Sequence, residues 1–370
     1  MNSLEKQFVP LADLSRWDLE EKLEISKAIN RVIDSGLFFN GDETNGLRLE
    51  LIEKFGFNNM MFVGNGTDAL VIALLALGIK EGDKVATVGN AGGYGTTAIL
   101  QVGAIPVLVD VDQDTAQMST EHLKSCLESN EVVLVIVTHL YGLLADIVEL
   151  ANTAKNFGAL LIEDCAQSIG ASRDGVFAGT VGDASTFSFY PTKNLACLGD
   201  GGAIAFRSTS AAIQASRIAQ YGWEGRYNII VENGRNSRID ELQAAVLRVR
   251  LRTLETKNEA RNQIVKRFSL ALNSSRRFIF KDDKSYIGHL AVMVTDTRDA
   301  DIQSLSNENV GFAIHYPILD CDQIAWSRYF KRTDIPNSRY LSKRIVSVPC
   351  APNLAENEIE RMCKLFASLQ

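Results

Sequence analysis

The stretch Met60-Met61-Phe62-Val63-Gly64-Asn65-Gly66-Thr67-Asp68-Ala69-Leu70-Val71-Ile72-Ala73-Leu74-Leu75-Ala76-Leu77-Gly78 decides the architecture. Its first four residues are apolar and favour a strand, and Gly64 and Gly66 bracket a tight turn. Asp68–Leu77 then carries apolar residues at helical spacing up to a glycine that can cap it. The unit recurs along the chain. Lys84–Val88, Pro106–Val111, Val132–Val137, Ala159–Glu163, Phe187–Phe189 and Ala203–Phe206 read as further short strands. Thr97–Val102, Thr120–Leu127 and Ile147–Phe157 lie between them with helical spacing, and Gly103 and Gly158 follow two of these as C-cap glycines should. Strand–helix alternation predicts an α/β protein with a mostly parallel sheet covered on both faces.

Outward from this core the pattern changes. An amphipathic helix is predicted before about Phe38, ending at Ser35–Gly36. Asp240–Thr256 starts a long helix whose charged continuation runs to about Phe268. An alternating segment at Ile287–Val294, a charged helix near Asp299–Asn307 and a last helix at Glu356–Leu369 follow. The expected division is 1–253, the N-terminal helix and large α/β domain, and 254–370, a small α+β domain packed through the long helix.

Over 370 residues, 38 Lys and Arg against 45 Asp and Glu give a net charge of −7, with 46% hydrophobic and 22% charged residues. These are globular values, and no basic stripe accompanies the acidic balance, so nucleic acid is excluded as the main partner. The longest uncharged apolar run, Ala69–Ile79, is far short of the roughly 20 residues that span a bilayer. No apolar or Arg-rich leader opens the sequence, and the six cysteines are scattered without metal-ligand spacing. A cytoplasmic setting, no membrane partner and no metal are the expectations.

Ligands of open α/β sheets sit beyond the carboxyl ends of the strands, so the polar residues there carry the chemistry. Gly64-Asn65-Gly66-Thr67 opens a helix, where free N–H groups attract phosphate; the plainer reading is a tight turn with Thr67 or Asp68 as a cap. Asp164, at the end of a buried strand, needs a positive partner: a protonated pyridine nitrogen, an arginine or a helix cap. Gln167 lies three residues on and can donate to a ring oxygen. Lys193, in the turn Tyr190-Pro191-Thr192-Lys193-Asn194, is either a solvated lysine or a desolvated amine nucleophile, with Ser188 as a further phosphate ligand. Gly199-Asp200-Gly201-Gly202 is not followed by Gly-Lys-Ser/Thr, so it is no nucleotide-hydrolysing loop. Together these sites hold the parts that pyridoxal phosphate requires.

The set Gly66-Thr67, Glu163-Asp164-Cys165-Ala166-Gln167, Ser188-x-x-Pro191-x-Lys193-Asn194 and Gly199-Asp200-Gly201-Gly202 resembles the DegT/DnrJ/StrS aminotransferases. Asp34-Ser35-Gly36-x-Phe38, His139-Leu140-Tyr141-Gly142 and Asn236-Ser237-Arg238-Ile239-Asp240-Glu241 extend the resemblance in order and spacing. It implies a fold-type-I, aspartate aminotransferase-like pyridoxal phosphate enzyme that aminates keto-sugars. By that resemblance Lys193 holds the cofactor as a Schiff base and shuttles the proton. Asp164 keeps the pyridine nitrogen protonated, Gln167 bonds the ring oxygen, and Gly66, Thr67 and Ser188 hold the phosphate. Asn236 would complete the phosphate site of a neighbouring subunit, which makes a homodimer part of the active site; a cap for the following helix is its other role.

The segment Asn90-Ala91-Gly92-Gly93-Tyr94-Gly95-Thr96-Thr97 resembles the branch that aminates C3 of dTDP-linked 3-keto-6-deoxyhexoses, with Tyr94 supplying the ring that stacks on the cofactor. The resemblance assigns substrate contacts to Phe38, Tyr190, Trp223, Arg226, His315 and Tyr316. L-glutamate is the implied amino donor, with Arg238 as a candidate for its carboxylate. His139 is expected to be a satisfied strand-end residue, and Cys165 and Cys197 to serve packing. The rivals are a 4-keto nucleotide-sugar aminotransferase, a sugar dehydratase and a non-catalytic regulatory protein. Dehydratase relatives carry histidine where this chain has Lys193. The resemblance places the product in deoxyamino sugar supply for lipopolysaccharide or another glycan.

Overall fold

The computed structural model describes residues 7–272, 275–330 and 333–369. Helices α1 (Leu19–Ser35) and α2 (Asp42–Phe55) precede the first strand. The main sheet then takes β1 (Met61–Val63), β2 (Lys84–Val88), β3 (Ile105–Val109), β4 (Val132–Thr138) and β5 (Leu160–Asp164). A small hairpin, β6 (Ser172–Arg173) with β7 (Val176–Phe177), intervenes before β8 (Ala184–Ser188) and β9 (Gly202–Phe206) complete it. The strand order is β1-β9-β8-β5-β4-β2-β3. Pairs from β8 to β3 are parallel, and β9 alone runs backwards, antiparallel to both β8 and β1.

Helices α3 (Gly66–Ala76), α4 (Tyr94–Gln101), α5 (Thr120–Ser129) and α6 (Ile147–Asn156) connect the parallel strands, and α7 (Thr209–Ala219) follows β9. Period-two alternation shares β4 between two cores: Leu134 and Ile136 pack with α3, α4 and α7, whereas Val135 and Val137 pack toward α5 and α6. Burial of each such side chain contributes roughly 1.5–3 kcal/mol, which fixes the register of a strand buried on both faces. The sheet therefore meets the α/β expectation.

Boundaries moved where local signals were ambiguous. Helix α3 starts at Gly66, because Asn65, not Thr67 or Asp68, is its cap and accepts from the Asp68 N–H at 2.8 Å. Helix α4 starts at Tyr94, three residues before the expected Thr97. The long helix expected from Asp240 is two, α8 (Glu241–Leu251) and α9 (Leu254–Ala271). The chain turns at Arg252–Thr253, which lets both Leu251 and Leu254 reach apolar surroundings. Helix α1 buries Ile25, Ala28 and Val32 against Ala245, Val246 and Val249 of α8.

Beyond α9, β10 (Arg276–Phe278), β11 (Ala291–Thr295) and β12 (Ile345–Val348) form a second, antiparallel sheet. Helices α10 (Arg298–Asn307), α11 (Pro336–Ser342) and α12 (Glu356–Ser368) accompany it, and Phe366 of α12 meets Phe268 and Phe278 edge-on at 5.1 and 5.6 Å. No helix among the described residues is long and apolar enough to cross a membrane.

Candidate active site

A cavity of about 1100 Å³ lies at the carboxyl ends of β1, β2, β4, β5 and β8 and extends to the second sheet. At its floor is the start of α3. Asn65 engages the Asp68 N–H, which leaves the first N–H groups of the helix, at Gly66 and Thr67, on the cavity wall. Gly66 is required there by space: a Cβ would come 2.8 Å from Ser188 Cβ and 3.2 Å from its Oγ. Gly66, Thr67 and Ser188 thus lie together on one side of the cavity. Asp68 turns away, pairing with Arg235 at 2.9 Å and accepting from Ser237 Oγ at 2.7 Å.

Asp164 ends β5 and is buried. Its oxygens accept from Thr138 Oγ1 at 3.3 Å and the Ala166 N–H at 3.1 Å. Burial pushes its carboxyl above the usual range, against the pull of the Ala166 bond and the Lys193 charge. Such a carboxylate is stabilised by a positively charged donor entering the cavity. Burial acts oppositely on Lys193, lowering its ammonium from 10.5 to about 8 despite the nearby Asp164. An amine so desolvated is partly unprotonated near neutral pH.

Gln167 is oriented by its neighbours. The Tyr141 N–H donates to its Oε1 at 2.6 Å, so its Nε2 faces the Tyr316 hydroxyl at 3.2 Å and the cavity. Tyr141 sits at φ 64° and its hydroxyl donates to the His315 carbonyl at 2.6 Å. That explains the His139–Gly142 motif: it holds Gln167 and the His315–Tyr316 pair in mutual register. His315 Nδ1 lies 2.9 Å from Ser347 Oγ on β12, and burial with the Lys193 charge lowers the imidazole. The Tyr94 and Tyr316 rings meet edge-on at 6.3 Å, and Tyr190 lines the opening.

His139 is satisfied, as expected: Nδ1 accepts from the Ala145 N–H at 3.1 Å and Nε2 faces Glu163 at 3.0 Å. Glu163 also takes the N–H groups of Gly179, Val181 and Gly182. These bonds account for the buried His139–Glu163–Cys165 cluster without a metal. Cys165 and Cys197 are buried and free.

One chain does not bring every expected residue together. Lys193, Asp164, Gln167, Ser188, Gly66, Thr67, Tyr94, Tyr190, His315 and Tyr316 share the cavity. Phe38, Trp223, Arg226 and Asn236 do not line it. Phe38 is exposed in the loop after α1, and its carbonyl accepts from the Glu241 N–H. Trp223 packs against Tyr221 and Tyr227, and Arg226 lies 4.8 Å over the Tyr227 ring. Asn236 is an exposed residue bridged to Gln220. Arg238 stacks over Phe39 at 4.6 Å and is also outside the cavity.

His289 and Arg261 are among the cavity residues that the sequence analysis did not single out. His289, from the turn before β11, faces Asn194 Oδ1 through Nδ1 at 3.0 Å. Asn194 Nδ2 already donates to Asn258 and to the Ile287 carbonyl, so the Asn194 oxygen accepts and His289 donates. Arg261 lies on α9. Neither stands at the end of a strand of the main sheet, where ligands of open α/β sheets gather.

The residues fit pyridoxal phosphate. The Gly66–Ser188 cradle could take its phosphate, Asp164 its protonated ring nitrogen, Gln167 Nε2 its ring oxygen, and Lys193 Nζ its aldehyde. Gly66→Ala is expected to displace Ser188 and raise the cofactor dissociation constant about 10- to 100-fold, the worth of one or two hydrogen bonds to a charged group. Fluorescence titration of the cofactor-free variant against wild type checks this.

Residues 19–367 match the family described as "DegT/DnrJ/EryC1/StrS aminotransferase family". A dTDP-3-amino-3,6-dideoxy-alpha-D-galactopyranose transaminase of Aneurinibacillus thermoaerophilus is 34% identical over 96% of this chain and 97% of its own. A UDP-N-acetyl-3-dehydro-alpha-D-glucosamine 3-aminotransferase of Acidithiobacillus ferrooxidans is 31% identical over 97% of each chain. The crystal structure of S. venezuelae DesV in complex with a ketimine intermediate superposes with a TM-score of 0.92 at 29% identity, covering 97% of this chain and 98% of that one.

Proposed function

The chain belongs to the DegT/DnrJ/EryC1/StrS aminotransferase family and is a pyridoxal phosphate-dependent sugar aminotransferase, and we propose that it moves the amino group of L-glutamate to C3 of a dTDP-linked 3-keto-6-deoxyhexose. The gathering of Lys193, Asp164, Gln167 and Ser188 in one cavity carries the transamination. The 34% identity to a dTDP-3-amino sugar transaminase over nearly the whole of both chains supports the choice of C3 and of dTDP. The same residues, with lysine at 193, speak against the dehydratase and regulatory alternatives.

Bound pyridoxal phosphate supplies an aldehyde that takes up the amine and a ring that withdraws electrons from the breaking bond. The chain's own part is positioning and proton transfer. The Gly66 and Thr67 N–H groups and Ser188 Oγ would hold the phosphate, and Asp164 would hold the ring N–H in a charge-assisted bond. Lys193 Nζ, its ammonium lowered by burial to about 8, would serve as the nucleophile and as the group that holds and returns the migrating proton. Tyr94 and Tyr316 line the cavity with it, and the His315 and Tyr190 side chains would meet sugar hydroxyls.

We take residues 1–253 and 254–370 as the large and small domains. We also place Phe38, Trp223, Arg226 and Asn236 toward the cavity of a second copy, so that a homodimer completes each site. Their position outside the cavity of one chain, with Phe38, Arg226 and Asn236 exposed and Trp223 half-buried, supports that arrangement, and the setting we propose is the cytoplasm.

Cofactor uptake should follow the lowered lysine. Above about pH 8 Lys193 is mostly the free amine and the rate of pyridoxal phosphate incorporation should plateau; below it the rate should fall about tenfold per unit. A midpoint near 10.5, measured by stopped-flow absorbance on cofactor-free protein, would show an ordinary solvated lysine. The substrate is decided by a panel of 3-keto and 4-keto dTDP- and UDP-sugars with glutamate as donor, the product position read by NMR. Amination of 4-keto sugars alone would overturn the C3 reading.

A further inference from the structure

The cavity wall that α9 contributes holds a charged group without a task in the chemistry above. Of the lysines and arginines that line the cavity, most are already paired. Arg16 meets Asp13 at 3.0 Å and Glu358 at 2.7 Å, and both Arg250 and Lys257 meet Glu21. Lys193 is the reacting amine. Arg261 stands apart: among the described residues no carboxylate is within ion-pair distance of it, and its polar neighbour is the Cys350 thiol.

Its place is closely determined. Arg261 follows Asn258 by three residues on α9, which puts both on one face of the helix. Asn258 Oδ1 takes Asn194 Nδ2–H at 2.7 Å, so that face is docked on the neighbour of Lys193. Gly288 has φ +59°, and a Cβ there would come 2.7 Å from Arg261 Cβ, so the arginine stem is pressed against the chain just ahead of His289. The Lys193 and Arg261 charges both reach the His289 ring, where they add to burial in holding the imidazole well below its ordinary value. Lys193, Arg261 and this buried histidine line the same cavity, and both charges act on the imidazole.

We propose that Arg261 is the anchor for a carboxylate of the amino donor. A guanidinium matches a carboxylate through two parallel hydrogen bonds, and one that lacks a protein partner in a cavity is stabilised when an anion arrives. The donor is favoured over the diphosphate of a nucleotide by reach. The carbon that surrenders its amine must sit at Lys193 Nζ, and the α-carboxylate is bonded directly to that carbon. A diphosphate on C1 of a hexose is held away from C3 by the ring. Arg238, stacked on Phe39 outside the cavity, is replaced in this role.

This proposal rests on the aminotransferase reading, and its test separates the two. Holoenzyme carrying Arg261→Leu or Arg261→Lys is mixed with glutamate without acceptor, and the cofactor absorbance change is followed. Glutarate, an unreactive dicarboxylate, and dTDP are titrated separately by calorimetry. Leucine should raise the half-saturating glutamate concentration about 30- to 100-fold, the size of a charge-assisted pair. Lysine, which keeps the charge and stem, should lose about tenfold and keeps the comparison readable if the leucine variant folds poorly. Glutarate affinity should fall in parallel while dTDP binding stays within about threefold. Unchanged glutamate and glutarate responses would overturn the assignment, as would a loss confined to dTDP, which would make Arg261 a diphosphate ligand. Wild-type enzyme that ignores glutamate would sink the donor named above, and glutarate binding alone would then decide Arg261.

Discussion

Lys193→Ala should lower turnover about a thousandfold or more, because it removes the nucleophile and the proton carrier in one change. The side chain is desolvated near Asp164, and the other lysine lining the cavity among the described residues, Lys257, is tied to Glu21, as Arg16 and Arg250 are tied to carboxylates. Arg261 offers a guanidinium, which does not replace an amine nucleophile. The backbone of the loop should survive, since the Lys193 N–H bonds the Tyr190 carbonyl at 2.8 Å whatever the side chain. Steady-state kinetics and the cofactor absorbance spectrum check the prediction, and wild-type turnover by the alanine variant would remove Lys193 from the reaction.

Asp164→Asn should cost about 10²- to 10³-fold in turnover with little change in fold. Losing one member of a buried ion pair is worth about 3–5 kcal/mol. Here that loss falls on the state in which the ring must carry charge. Asparagine preserves the shape and can still engage Thr138 Oγ1 and the Ala166 N–H, the two groups that Asp164 bonds now. It offers no negative charge to a ring N–H. A spectral titration of the bound cofactor should show the ring nitrogen losing its proton at lower pH in the variant. An unaltered titration would mean that Asp164 does not face that nitrogen.

Much of this site was legible because a parallel sheet concentrates its chemistry at strand ends. Asp164 is the last residue of β5 and Ser188 the last of β8. A reader who finds the apolar runs therefore finds the residues that matter. Helices were harder where their apolar stripe was narrow. Helix α2 buries Leu47, Leu51 and Phe55 along a single line beside a buried Glu43, and it was missed. Helix α7 relies on Ala211 and Ala215, which carry little pattern. The break between α8 and α9 has neither glycine nor proline to announce it and no side-chain cap at Thr253. Arg261 and His289 stayed hidden for a different reason: their relation to Lys193 runs through Asn194 and Asn258, residues far apart in sequence and joined only by folding.

The backward course of β9 has a consequence for how this scaffold tolerates change. Because β9 returns beside β8, the segment bearing the reacting amine leaves the sheet at Ser188 and re-enters it opposite, at Gly202, its Cα partner. Ser188 and Lys193 are thus spaced by one short closed loop. Asp164 and Gly66, by contrast, reach the site from strands whose connections contain whole helices. An insertion in one of those crossovers lengthens the route between two strand ends without altering where either ends. An insertion between 188 and 202 would shift the amine itself. Length variation should therefore be borne by the outer connections, leaving the hairpin of the nucleophile as the ruler against which the rest of the site is set.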